Sequence, residues 1–281
     1  MMKYFLNDFI VEEHVKNALK EDIGFWDITS NSIFDDKYEI TANINSRADG
    51  VLCGINIVKT VYKILNPEID VNILINDGEK IHKNSKIAEI NGLCRDILTG
   101  ERVALNYIQR LSAIATMTAK YVEEIKPYKA KIVDTRKTTP LFRVFEKYAV
   151  LAGGGSLHRF NLSDCVMIKD NHIKYAGGIF QAIEKVRQTV SYAHKIEIET
   201  ESLSEVQEAV KAGADIIMLD NMTITQIKEA VNLIQGRAIV EASGNVTLDN
   251  VKTIASTGVD IISTSAIQAK AGTLDIGLDV Y

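Results

Sequence analysis

Two hydrophobic rhythms divide the chain. In the first third the apolar spacing changes every few residues. Phe9 to Lys20 carries Ile10, Val11, Val15, Ala18 and Leu19 at helical intervals and predicts an amphipathic helix. Glu21 to Ser30 reads as a loop with Trp26 as its packed anchor. Short alternating runs then predict strands at Ile40–Ile44, Gly50–Gly54, Val71–Ile75, Glu79–Ile81 and Lys86–Ile90, with a helix over Val58–Leu65 that Asn66-Pro67 ends. Leu98 to Val122 predicts one long helix, with Glu101, Arg102, Asn106, Gln109 and Arg110 set among its apolar positions.

From Lys131 onward strands alternate with helices. Strands are predicted at Lys131–Thr135, Val166–Lys169, Lys195–Glu199, Ile216–Leu219, Ala238–Glu241 and Ile261–Ser263. Between the first two, Pro140 predicts a helix start, since its missing N–H is no loss in a first turn. Leu141, Val144, Phe145, Tyr148, Ala149 and Ala152 give that helix one apolar face, and Gly153-Gly154-Gly155 ends it. Ser202-x-x-Glu205 and Thr223-x-x-Gln226 are capping boxes that place two further helix starts. Alternating βα units call for a parallel sheet. About six units predict an incomplete α/β barrel, short of the eight of a standard one, preceded by an α+β domain. The division expected is 1–108 for the N-terminal domain and 109–267 for the barrel, with a tail over 268–281 returning to the first.

Composition narrows the chemistry. Across 281 residues, 46% are hydrophobic and 25% charged, and the formal net charge is −5. That balance fits a soluble globular protein and disfavours a broad nucleic-acid surface. Acids interrupt the first fifteen residues, so no secretory signal is expected, and no run is long enough to span a bilayer. Cys53, Cys94 and Cys165 are odd in number and far apart, which supports neither a zinc ribbon nor a disulfide framework. A cytoplasmic location is the expectation.

Against an acidic background, cations concentrate in one stretch, Asp134 to Ile173. Thr135, Arg136 and Lys137 follow the first barrel strand, His158-Arg159 follow the glycine run, and Lys169 ends the second strand. Glu199 ends the third strand and Asp220 the fourth. Ser243-Gly244-Asn245 follow the fifth, and Ser265-Ala266 the sixth. All sit at the carboxyl ends of predicted parallel strands, where barrel enzymes build their sites. Arginine suits bidentate recognition of carboxylate or phosphate. Glycine- and serine-rich turns offer N–H groups to a phosphate, and paired carboxylates suit Mg²⁺ bridging to phosphate oxygens. An anionic substrate meeting a metal-bound pyrophosphate fits this set. Lys169 as the Schiff-base lysine of an aldolase is one rival reading, and a binding protein that keeps the fold without turnover is another.

The ordered motifs DTRKTTP, EKYAV, GGG, HR and IKDNHI resemble the quinolinate phosphoribosyltransferase family. So do EDIG near the start, LTGER and ALN in the middle, and MLDN and EASG later, which together cover nearly the whole chain. The resemblance implies quinolinate and phosphoribosyl pyrophosphate as substrates, Mg²⁺ as cofactor, and a homodimer. Arg136, His158, Arg159 and Lys169 would hold the quinolinate carboxylates, joined by Arg102 from the partner. On spacing alone Arg102 is a solvated helix residue. Lys137 and Lys169 would face the phosphoribosyl group, and Glu199 and Asp220 the ribose hydroxyls and the metal. The chain departs from the family pattern at Leu141 and Asn245, where glycines are usual, and at Leu157, Thr264, Ser265 and Ala269.

Overall fold

The computed structural model describes residues 5–280. In chain order the first elements are α1 (Asp8–Ile23), α2 (Ile28–Ile33), β1 (Glu39–Ser46), β2 (Gly50–Val51), α3 (Ile55–Leu65), β3 (Asp70–Ile73), β4 (Lys80–Ile81), β5 (Lys86–Leu93) and α4 (Cys94–Ile125). There follow β6 (Lys131–Val133), α5 (Arg143–Ala152), β7 (Val166–Ile168), α6 (Asp170–Ala176), α7 (Ile179–Thr189), β8 (Ile196–Thr200) and α8 (Leu203–Lys211). The last are β9 (Ile216–Asp220), α9 (Ile224–Ile234), β10 (Ile239–Ser243), α10 (Leu248–Ala255), β11 (Ile261–Ser263), α11 (Ala266–Ala269) and β12 (Ile276–Val280).

The chain folds into two compact units. The first runs to Ala119 and adds Thr139–Gly154 and the residues from Ala271 onward. Its sheet is antiparallel in the order β12-β1-β5-β3. The returning tail pairs β12 with β1, Ile44 opposite Leu278. Ala42 and Ile44 of β1 and Ile87, Ala88 and Ile90 of β5 are fully buried beside Val58, Val61 and Tyr62 of α3. The half-buried carboxylate of Asp77 accepts the Gly54 and Ile55 N–H groups at the start of α3 (2.7 and 3.0 Å). It also accepts the Tyr148 hydroxyl of α5 at 2.7 Å. One acid thereby satisfies helix donors that would otherwise be orphaned.

Helix α4 runs unbroken from Cys94 to Ile125, through residue 108. Three local expectations change. The helix expected from Pro140 starts at Arg143. Leu141 has φ +62°, a left-handed conformation that no helix interior accepts. Asp27 caps α2, where a loop was expected, by accepting the Ser30 N–H at 3.0 Å. Trp26 is 55% exposed rather than a packed anchor.

The glycine run divides its work. Gly154 takes φ +83° just past α5. Gly153 has an ordinary backbone, but a Cβ there would stand 2.4 Å from the Ala115 carbonyl oxygen of α4.

The second unit comprises Lys120–Thr138 and Gly155–Lys270. Its six strands are all parallel, in the order β6-β11-β10-β9-β8-β7, and helices connect successive members. This is the incomplete α/β barrel. At the amino-terminal edge, Asp215 and Asp260 accept the Ile196 and Val240 N–H groups at 2.9 Å, closing strand starts. Parallel pairing sets Ser243 opposite Asp220 and Glu199 opposite Met218. The carboxyl ends of the strands therefore share one edge, and the polar residues gather there.

Candidate active site

A cavity of about 690 Å³ opens at the carboxyl edge of the six-stranded sheet. Thr135, Arg136 and Lys137 line it from the end of β6, His158 and Arg159 from the loop before β7, and Lys169 from the end of β7. Glu199, Asp220, Ser243, Gly244, Asn245, Ser265 and Ala266 complete its wall from the next four strand ends. The second unit supplies all of them. Arg102 does not line this cavity and lies exposed on α4 in the first unit.

Each cation is held differently. Lys137 is exposed, and its N–H donates to Thr135 Oγ1 at 3.0 Å in a tight turn. Arg159 is pre-oriented by its own guanidinium, which donates to the Cys165 carbonyl at 3.0 Å and to Met167 Sδ at 3.4 Å. The Lys169 amine donates to Glu199 Oε2 while remaining 46% exposed. A hydrated, ion-paired amine is the opposite of the desolvated lysine that Schiff-base chemistry needs.

His158 sits at the floor. Its peptide N–H donates to the buried carboxylate of Asp134 at 2.8 Å. Nε2 lies 3.4 Å from both Glu197 Oε2 and Glu241 Oε2, and the two glutamates are buried. Burial alone would lower the imidazole pKa, but the two carboxylates outweigh it and raise it from 6.5 to about 10. Burial also pushes the Glu197 carboxyl up. The Arg159 N–H points at Nδ1 at 2.7 Å, which favours a lone pair there and opposes that second proton. Nε2 carries a proton in either state, because both carboxylates facing it can only accept. His158, Glu197 and Glu241 lie close enough to surround a cation, but a protonated Nε2 facing the acids ligates nothing.

The acids that could hold a metal are Glu199 and Asp220, on neighbouring strands. Burial raises the Asp220 pKa, and Glu199 adds to it. Asn221, Lys169 and Lys137 pull it down. Asp220 keeps one oxygen for a ligand, since Asn221 Nδ2 donates to Oδ2 at 2.8 Å. Two partly accessible carboxylates leave room for the waters and phosphate oxygens that Mg²⁺ retains, so the donor set fits that ion.

Two lining residues were not singled out from sequence: Val246 and Lys270 both border the cavity. Glu197 was legible in principle. In the run IEIET it stands two residues before Glu199, so both carboxylates leave the same face of β8. Asp134 opens the DTRKTTP run, and its role becomes visible only when the loop at His158 folds back over it.

Comparison with known proteins agrees with this geometry. The model of the quinolinate phosphoribosyl transferase N-terminal domain matches residues 27–112, and that of the C-terminal domain matches 114–279. A probable nicotinate-nucleotide pyrophosphorylase (carboxylating) of Synechocystis is 42% identical over 274 residues, covering 96% of this chain and 92% of the relative. Its counterpart from Bacillus subtilis is 41% identical over 275 residues, 98% of this chain and 95% of the relative. The solved nicotinate-nucleotide pyrophosphorylase from Francisella tularensis superposes with a TM-score of 0.94 at 40% identity, over 98% of either chain.

Proposed function

Because the chain belongs to the quinolinate phosphoribosyltransferase family, we propose that it transfers phosphoribosyl from phosphoribosyl pyrophosphate to quinolinate. The products are nicotinate mononucleotide, pyrophosphate and CO₂, a step of de novo NAD biosynthesis. The observation that carries this reading is the single cavity in which Arg136, Lys137, Arg159 and Lys169 meet Glu199 and Asp220.

The ring nitrogen of quinolinate attacks the anomeric carbon, and pyrophosphate leaves with the bonding pair. Arg136, Arg159 and Lys169 pair with the two carboxylates and set the attack angle, a contribution of positioning. His158 supports them from below, because its Nε2 proton faces Glu197 and Glu241 rather than the open cavity. Lys137 faces the departing phosphates. Glu199 and Asp220 meet the ribose hydroxyls and stabilise the positive charge that develops on the sugar. They would also hold Mg²⁺, which supplies charge neutralisation for the pyrophosphate. The pyridinium then accepts the electron pair from the adjacent C–CO₂⁻ bond, CO₂ departs, and the ring carbon takes a proton.

Arg102 belongs to this reading as a group contributed by a second copy of the chain. It is exposed on α4 and absent from the cavity wall. A two-fold dimer would make the exchange reciprocal, each copy completing the other's site.

The test is stoichiometry. Purified protein supplied with quinolinate, phosphoribosyl pyrophosphate and Mg²⁺ should release pyrophosphate and CO₂ in equal amounts. Pyrophosphate without CO₂ would mean hydrolysis of phosphoribosyl pyrophosphate or transfer without decarboxylation, and that result, like release of neither product, would overturn the proposal.

A further inference from the structure

The turns after β9 and β10 are joined by a chain of amides that ends on Asp220. Asn221 Nδ2 donates to Asp220 Oδ2 at 2.8 Å, and Asn245 Nδ2 donates to Asn221 Oδ1 at 2.9 Å. The polarity of this chain is fixed. A carboxylate only accepts, so Asn221 must turn its NH₂ to Asp220, which leaves its oxygen for Asn245, whose NH₂ must face it.

The surrounding backbone serves the same arrangement. The Asn221 N–H donates to the Ser243 carbonyl at 3.0 Å. The Asn245 carbonyl accepts Asn250 Nδ2 at 2.9 Å, and Asn250 Oδ1 accepts the Thr247 N–H at 2.8 Å as part of the α10 cap. Asn221 and Asn245 sit at φ +54° and +50°, a region that asparagine enters more readily than most residues. Gly244, between the strand end and Asn245, is required by this contact. A Cβ there would fall 2.2 Å from Asn221 Oδ1.

We infer that Asn245 is a positioning residue. Through Asn221 it fixes the rotamer of Asp220, leaving one carboxylate oxygen aimed into the cavity. The asparagine that replaces the usual glycine is therefore not a phosphate ligand. Its NH₂ is engaged with Asn221, and the link ties Asp220 to the capped start of α10. The consequence for turnover rests on the phosphoribosyltransferase reading, whereas the link itself does not.

The experiment compares Asn245→Ala and Asn245→Asp, each alone and in an Asn221→Ala background. One lost hydrogen bond in the chain should lower kcat/KM for phosphoribosyl pyrophosphate about 3- to 10-fold in N245A, with KM for quinolinate within about twofold of wild type. N245D should be worse than N245A despite its nearly identical shape. A carboxylate at that position turns the Asn221 amide over and sets its oxygen against Asp220. In the Asn221→Ala background the two substitutions should become equivalent, because the link is already cut. If N245D stays worse there, its charge acts directly on substrate and the inference fails.

The Asn221 side-chain NH₂ resonance, assigned by its loss in Asn221→Ala, reads the link with no substrate present. It should shift in both Asn245 variants, and an unmoved resonance would also overturn the inference. Wild-type protein that releases no pyrophosphate would instead overturn the proposed reaction, leaving the resonance to decide the link.

Discussion

Replacing Gly153 by alanine sets two effects against each other, and the structure decides the sign. Gly153 lies at φ −77°, ψ 2°, which alanine adopts without strain. By conformational entropy alone, Gly153→Ala should stabilise the fold by about 0.4–1 kcal/mol. The added methyl, however, would stand 2.4 Å from the Ala115 carbonyl oxygen, 2.6 Å from Thr118 Cβ and 3.1 Å from the Ala115 carbonyl carbon. Non-bonded carbon atoms rest at about 3.5–4.0 Å, so the chain must retreat by roughly an ångström. Ala115 and Thr118 are fully buried in the middle of α4, and the colliding oxygen is backbone. Neither can rotate aside. Overpacking of this kind costs about 1–3 kcal/mol, and an immovable partner places it at the upper end. The net expectation is a destabilisation of about 2 kcal/mol. At about 2–4 °C per kcal/mol for a chain of this class, Tm should fall by roughly 4–8 °C. Calorimetry or urea unfolding of the two proteins measures it. A Tm equal to or above wild type would refute the argument that close approach to α4 requires glycine at this position.

Three further outcomes follow from the site. The raised His158 pKa contributes stability that is fully present below pH 6.5 and lost as pH rises toward about 10. Wild type should therefore lose about 1–2 kcal/mol more than His158→Asn over that window, below the roughly 5 kcal/mol that the whole shift would allow. Parallel urea-stability curves would show that the ring never takes its second proton. Asp220→Asn should lower metal-dependent turnover by orders of magnitude with an unchanged Tm, and full activity in EDTA would remove the metal from the account. Mixing inactive Arg102→Ala with inactive Lys169→Ala under subunit exchange should restore about a quarter of wild-type activity. Half of an equal mixture would be heterodimers with one intact site each. No recovery, once exchange is verified, would place Arg102 outside a shared site.

The barrel and its polar carboxyl edge were legible because two periodicities coincide. Buried parallel strands read as short apolar runs, and the residue after each run is polar, so Lys169, Asp220 and Ser243 fall at predicted ends. Motif order added the chemistry. What stayed hidden is what depends on tertiary placement. Pro140 signals a helix start, yet Leu141 at positive φ delays it to Arg143. The long helix α4 masks the division between units, because hydrophobic spacing does not register which part of a helix faces which core. Glu197 and Glu241 come from strands separated in the sheet by β9, and only the fold brings both to His158. Asn245 reads in sequence as a defect in a phosphate loop, whereas in the structure it is bonded to Asn221.

The central claim is that this cavity recognises two carboxylates on one pyridine ring. It is tested most directly by measuring pyrophosphate release from phosphoribosyl pyrophosphate with quinolinate and with nicotinate under identical conditions. If Arg136, Arg159 and Lys169 pair with two carboxylates, charge is left unpaired when one is missing, which discriminates strongly. The account predicts kcat/KM for quinolinate higher by at least about a thousandfold. Equal turnover of the two acids would contradict it.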